Sequence, residues 1–309
     1  MLDQIFVGAR VLCDGAMGTM LFGHGNFTGR CCDELNLSQP ERVASVHADY
    51  LRAGARIIET NTFGGNAFRL DQHGLRHKLR EINLAGVQVA RQSVQQAAEN
   101  AYVAGAVGPL GVRLDPLGSV SLREAHTAFT DQIRALAEGG LGVGVDLLMI
   151  ETMTSLAEAT AAIHAARDVV PELRMVVMMT VGPSGSCLDG ASPETAAARL
   201  TELGADAIGC NCSDGPAVVL SVIERMRAAT HLPLAAMPNS GLPLAAEGRN
   251  LYAVSPQDMA GYARRFLQAG ASLIGGCCGT TPEHIQVMSV ALRDFQAHIF
   301  AANKKGTEV

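Results

Sequence analysis

The sequence predicts an α/β protein, a single-domain (β/α)8 barrel, on three observations. Eight short apolar, β-rich runs alternate with helical patterns along the whole chain. The length of 309 residues suits one such barrel. The composition, 48% hydrophobic with 33 Gly and no Trp, suits strands and helices packed through small aliphatic side chains and turned at glycines. A doubly wound sheet is the alternative, weakened because no Gly-x-Gly-x-x-Gly follows the first strand. No linker-like break or fixed-period repeat divides the chain, so the barrel is expected over residues 1–302, with a loose tail at 303–309.

The first run, 10–13, ends in Asp14-Gly15-Ala16-Met17-Gly18-Thr19, and Cys31-Cys32 follows in a Gly-rich loop. Residues 40–53 read as a helix stopped by Gly54. The second run, 55–58, ends in Glu59-Thr60-Asn61-Thr62-Phe63, before a helix over 79–100. The third, 102–107, ends at Gly108-Pro109; Ser121 then caps a helix, with Glu124 completing a capping box. The fourth, 145–150, ends in Glu151-Thr152 and precedes a helix over 156–169. The fifth is 174–179, with its helix at 193–203. The sixth, 206–209, closes in Cys210-Asn211-Cys212, with its helix at 216–229. The seventh, 232–237, ends in Pro238-Asn239-Ser240-Gly241; a polar loop and a helix over 255–269 follow. The eighth, 271–274, runs into Gly275-Gly276-Cys277-Cys278-Gly279, where Thr281-Pro282 opens a last helix to about residue 301.

The net charge of −6, without blocks of like charge, argues against nucleic acid and acidic membrane surfaces as partners. No apolar stretch is long enough to span a bilayer. The N-terminus lacks a basic region followed by an apolar segment, so a cytoplasmic location is expected. The eight Cys then read as thiols or metal ligands, not disulfides.

Catalytic groups of such barrels sit at the C-terminal ends of the strands. Acids occupy the early ends (Asp14, Glu59, Glu151), and thiols occupy the sixth and eighth (Cys212, Cys277, Cys278). Neighbouring strand residues point to opposite faces, so Cys277 and Cys278 reach one point only if the backbone turns there, which Gly279 permits. Three thiols from two strand ends suggest zinc with one coordination position open. The plainer alternative is that they are small buried residues. Cys210 shares strand parity with Cys212 one layer deeper and reads as core, as does Cys13. Cys187 lies in a loop, and Cys31-Cys32 reads as an exposed pair. Paired Asp14 and Glu151 could hold an ammonium group; alternatively Asp14 caps its turn while Glu59 and Glu151 satisfy loop amides. The only lysines are Lys78, Lys304 and Lys305, none at a strand end, which excludes Schiff-base aldolase chemistry.

Asp14-Gly15-Ala16-Met17-Gly18-Thr19, Glu59-Thr60-Asn61-Thr62-Phe63, Gly105-Ala106-Val107-Gly108-Pro109, Glu151-Thr152, Asn211-Cys212 and Gly275-Gly276-Cys277-Cys278-Gly279 together resemble the homocysteine S-methyltransferase family. The likeness runs from about Arg10 to His284 and is nearest to the homocysteine module of cobalamin-dependent methionine synthase. The resemblance implies a TIM barrel with zinc held by Cys212, Cys277 and Cys278. It implies that Asp14 and Glu151 meet the homocysteine amino group, with Gly15 and Thr60 by its carboxylate. The implied reaction methylates a zinc-bound homocysteine thiolate to methionine. No folate or cobalamin domain is seen after Val309, so the methyl donor is expected from elsewhere, as methylcobalamin on a separate corrinoid protein. A small onium such as S-methylmethionine is the alternative donor, and a non-catalytic zinc- or thiol-binding barrel the alternative of another class. Residues 138–146 look longer than the family's usual helix-to-strand turn.

Overall fold

The computed structural model describes residues 2–7, 9–23, 30–97, 100–138, 144–246 and 249–306. Its strands are β1 Val11–Leu12, β2 Ile57–Glu59, β3 Tyr102–Val107, β4 Leu147–Met153, β5 Arg174–Met179, β6 Ala207–Cys212, β7 Leu234–Pro238, β8 Pro243–Ala246, β9 Arg249–Tyr252 and β10 Ala271–Ile274. Eight of them pair in parallel in the order β1-β10-β7-β6-β5-β4-β3-β2, and a parallel bridge between Cys13 and Ile57 joins the two ends. The chain is therefore a single-domain (β/α)8 TIM barrel.

Strand alternation divides the core in two. Val11, Cys13, Ile57, Ala104, Leu147, Met149, Val176, Met178, Ala207, Ala235, Met237 and Leu273 pack together inside the barrel. Their neighbours of opposite parity, such as Ile58, Val103, Leu148, Val177, Ile208 and Ala236, pack with the surrounding helices. The helix Leu2–Ile5 adds Ile5 to the inner cluster, with Leu2 and Phe6 against it, and so covers the barrel's N-terminal end. No apolar run marks that short helix in the sequence.

The helices follow their local signals. Pro40–Ala53 starts on its proline and stops at Gly54, whose φ of 108° is left-handed. At Leu122–Glu138 the capping box forms: Ser121 N–H donates to Glu124 Oε2 at 2.9 Å, and Glu124 N–H donates to Ser121 Oγ at 3.2 Å. The short helices Gly18–Phe22, Leu35–Ser38 and Ala67–Asp71 are too brief to show a period.

Element boundaries shift from expectation in several places. Strands β4 and β6 continue to Met153 and Cys212, so Glu151 and Cys212 belong to strands. The polar loop after β7 contains the antiparallel hairpin β8–β9, whose segments Pro243–Ala246 and Arg249–Tyr252 carry no β-branched residue to mark them as strands. The last helix, Pro282–Gly306, passes the expected end near residue 301, and 307–309 lie outside the described residues. Of the 138–146 stretch, 139–143 also lie outside them.

Candidate metal centre and substrate cavity

The inward parity of the lower barrel continues upward. Two residues beyond Ile57, Met149, Gly209 and Gly275 stand Glu59, Glu151, Asn211 and Cys277. Cys212 has the outward parity of Cys210, which is fully buried among the helices. It turns inward because β6 ends in two left-handed residues, Cys212 at φ 56° and Ser213 at φ 57°. Left-handed backbone is costly for residues other than glycine, so this bend marks a position held by its surroundings. Ser213 Oγ accepts from Val181 N–H at 3.2 Å, and Ser213 O accepts from Asn239 Nδ2 at 2.9 Å.

The turn after β10 is held equally firmly. Gly276 N–H donates to Asp14 O at 2.9 Å, and Cys277 N–H donates to Pro238 O at 2.8 Å. Thr280 Oγ1 donates to Cys277 O at 2.7 Å and accepts from Ala16 N–H at 3.1 Å. Tyr50 Oη lies 2.8 Å from Ala16 O and 3.1 Å from Thr280 O, behind the same junction. A Cβ on Gly15 would sit 2.7 Å from Thr280 Oγ1 and 3.0 Å from the Tyr50 ring, which explains the glycine there.

Cys212, Cys277 and Cys278 thereby converge, with one Sγ from each inside a mutual distance of 4.8 Å. Cys212 Sγ is 3.4 Å from Cys277 Sγ and 4.0 Å from Cys278 Sγ. Thiolates around a tetrahedral zinc, at Zn–S of about 2.3 Å, stand about 3.8 Å apart, so the three sulfurs fit that ion. Without a cation they cannot all ionise. Hydrogen bonds from Cys212, then Cys277, hold the Cys278 thiol down at about 3, and the Cys277 thiol is raised in return, first by its bond to Cys212. Three Cys ligands leave the fourth position of a tetrahedral metal for a substrate.

Asp14, Gly15, Thr60 and Glu151 line a cavity of about 330 Å³ together with the three thiols. Asp14 is 2% exposed, and its Oδ2 accepts from Glu59 N–H at 3.0 Å. Burial, then the nearby Glu151 charge, raise the Asp14 carboxyl against its backbone hydrogen bonds. Burial raises Glu151 to about 7, opposed by a hydrogen bond with Glu59. Thr60 Oγ1 accepts from Ala106 N–H at 3.0 Å and lies 2.6 Å from Thr62 Oγ1.

Other thiols separate from this group. Cys13, Cys187 and Cys210 are buried. Cys31 and Cys32 line the cavity but stand outside the three-thiol cluster, and burial raises them to about 11 and about 12.

Two contributors were not singled out in the sequence. Asn211 spans the site: its Nδ2 donates to Glu151 Oε2 at 2.9 Å and to Thr152 Oγ1 at 2.8 Å, and lies 3.9 Å from Cys277 Sγ. Its Oδ1 accepts from Thr152 N–H at 2.8 Å, where β4 becomes irregular and Thr152 takes a φ of 59°. Inward parity two residues after Gly209 was the available signal. Tyr252, at the end of β9, lies against Gly279, where a Cβ would strike its ring and Ser240 Oγ. Burial and then the charges of Cys278, Cys212 and Cys277 raise its phenol to about 12. His284, 6% exposed, fastens this corner: Nδ1 accepts from Thr281 N–H at 3.2 Å, leaving Nε2–H to donate to Val254 O at 3.0 Å.

Known proteins carry the same arrangement of sequence and fold. Methionine synthase from Mycobacterium leprae is 33% identical over 294 residues, covering 90% of this chain and 24% of that protein. Methionine synthase from Mycobacterium tuberculosis is 32% identical over 298 residues, 92% of this chain and 24% of that protein. The chain thus spans about a quarter of the length of these relatives. The homocysteine methyltransferase MmuM from Escherichia coli, in its metallated form, superposes with a TM-score of 0.77 at 27% identity, over 94% of this chain and 97% of that one. Residues 11–292 match the sequence profile described as homocysteine S-methyltransferase, an interval that takes in both the thiol cluster and the acid wall. With that match across most of the barrel, the chain belongs to the homocysteine S-methyltransferase family.

Proposed function

We propose that this barrel transfers a methyl group to the sulfur of homocysteine, forming methionine. One observation carries the reading: the three-thiol cluster lines one cavity with a set of carboxyl groups, an acid wall that includes Asp14 and Glu151. Cys212, Cys277 and Cys278 would hold zinc, which supplies a cation that favours the thiolate form of a fourth sulfur at neutral pH. Asp14 and Glu151 take the substrate ammonium, and Gly15 and Thr60 border its carboxylate. Holding the amino acid at these points fixes the sulfur at the thiol end, where proximity and orientation lower the barrier to methyl transfer. Asn211 keeps the Glu151 carboxylate in register with Cys277. The eight cysteines are free thiols, in keeping with a cytoplasmic enzyme.

The donor is read as a methyl-corrinoid carried by a separate protein, supported by the identity to methionine synthases over 90% of the chain. A small onium donor such as S-methylmethionine is the second reading, favoured by Tyr252 beside the thiols and Phe63 on the cavity wall. The zinc-loaded protein, offered homocysteine with methylcobalamin, a methylated corrinoid protein or S-methylmethionine in turn, decides between them by methionine formed. Methionine from the corrinoid donors supports the first reading, and from S-methylmethionine alone the second. Zinc bound with no methionine from any donor would leave a binding barrel.

A further inference from the structure

The acid wall holds more carboxyl groups than one substrate ammonium can neutralise. Asp14, Glu59 and Glu151 line the same cavity. Arg69 also reaches it, but the charges Arg69 offsets are those of Asp33 and Glu158. Around Glu59, the segment just after β1 contributes Asp14 and Cys13, β4 contributes Glu151, and the paired residue on β3 is the uncharged Ala104. Like charges in one poorly solvated pocket leave one group protonated.

Hydrogen bonding identifies which group carries that proton. Asp14 Oδ2 accepts Glu59 N–H at 3.0 Å, and Glu151 Oε2 accepts Asn211 Nδ2–H at 2.9 Å. N–H donors favour the ionised form of both. The Glu59 carboxyl has no N–H donor among the described residues, and its partner is the carboxyl group of Glu151. A carboxyl–carboxyl contact needs one proton between its oxygens. We infer that Glu59 is a positioning residue, a neutral carboxylic acid that donates its proton to the Glu151 carboxylate and so aims that carboxylate at the substrate ammonium. Burial, then the Glu151 and Asp14 charges, raise Glu59 in the same sense. This rests on the reading that the cavity takes homocysteine.

Two measurements on the zinc-loaded protein test it. Calorimetric titration with homocysteine compares wild type, Glu59→Gln, Glu59→Leu and Glu151→Gln at neutral pH. Loss of a charge-assisted hydrogen bond predicts binding weaker by about 10- to 100-fold for Glu59→Leu, with Glu59→Gln restored to within about 3-fold because its amide still donates. Glu59→Gln as weak as Glu151→Gln, or Glu59→Leu equal to wild type, overturns the inference. The second measurement needs no substrate. The infrared difference spectrum of wild type minus Glu59→Gln is expected to carry the C=O stretch of a protonated carboxylic acid, and its absence overturns the inference. If wild type binds no homocysteine, the functional reading fails, and the infrared band alone decides the state of Glu59.

Discussion

The cavity lining holds two sets of acidic groups: the clustered thiols Cys212, Cys277 and Cys278, here the thiol wall, and the carboxyl groups of Asp14, Glu59 and Glu151, here the acid wall. Each wall gathers acidic groups closer than their charges allow, and the remedies differ. Cys212, Cys277 and Cys278 fit a divalent cation of the size and geometry of zinc, which would let all three ionise together. Asp14, Glu59 and Glu151 come from three parts of the barrel and are raised by burial. On the proposed function a resident zinc ion would complete the thiol wall and the ammonium of a substrate the acid wall. The substrate would then link the two, with its sulfur at one and its amino group at the other.

The largest expected effect separates the walls cleanly. Cys277→Ala leaves two thiolates, so zinc content is expected to fall below a tenth of wild type and methionine formation to drop by about a thousandfold or more. Elemental analysis and turnover on the same sample check both. Cys31→Ala and Cys32→Ala, on the same cavity but outside the cluster, are expected to keep their zinc.

On the acid wall, Glu151→Gln is expected to retain zinc and to weaken homocysteine binding by about 30- to 100-fold, the loss of one buried ammonium–carboxylate pair. It is also expected to raise stability. Burial lifts the Glu151 carboxyl from 4.5 to about 7, so the unfolded chain gives up this proton first as pH rises. The folded state holds the proton more tightly between those values, and its advantage is lost as pH climbs towards 7. Glu151→Gln removes that loss, stabilising the metal-free chain at pH 7 by about 3 kcal/mol with little change near pH 4. Thermal denaturation of both proteins across this range checks the sign. A variant less stable at pH 7 would mean that Glu151 is not strained by its burial.

Asn211 is where the comparison can break, because one amide touches both walls. Asn211→Ala removes the donors to Glu151 and Cys277 and frees Thr152 from its left-handed turn. Homocysteine binding and zinc affinity are both expected to weaken, each by about 10-fold, in titrations with substrate and with a competing chelator. If only the homocysteine term moves, the walls are independent and the 3.9 Å approach to Cys277 carries no weight.

The thiol wall was the more legible half in the sequence. Adjacent cysteines between glycines at a strand end announce a turn, and depth along the strand separated the buried Cys210 from Cys212. The bend at Cys212 and Ser213 was hidden, because neither residue favours left-handed backbone. The barrel was legible too, since its eight parallel strands and its longer helices carry their own patterns, and Arg174–Met179 falls where the apolar run placed it. The acid wall was only partly readable. Asp14 and Glu151 stood out at strand ends, but the pairing of Glu59 with Glu151 depends on β2 and β4 flanking β3 with both acids on the inner face. Tyr252 depends on a hairpin of two four-residue strands folding back onto Gly279, a contact with no local signature.

Thr60 gives the smallest expected effect and the sharpest limit on the acid wall. Its backbone N–H donates to Ala104 O at 2.9 Å. Its hydroxyl lies 2.6 Å from that of Thr62, whose own proton goes to Ala106 O at 2.8 Å. The proton between the two hydroxyls is therefore that of Thr60, and Thr60 Oγ1 also accepts from Ala106 N–H. Both donors of Thr60 are committed to the ends of β2 and β3, so a substrate carboxylate would meet only a lone pair. On the proposed function Thr60 would border the carboxylate without binding it. Thr60→Val is expected to weaken homocysteine binding by about 3-fold or less, while costing about 1–2 kcal/mol of folding stability through the broken hydroxyl pair. Thr60→Ser restores the stability. A loss of binding of about 10-fold or more in Thr60→Val, recovered in Thr60→Ser, would mean that the hydroxyl leaves Thr62 when substrate arrives and donates to the carboxylate instead.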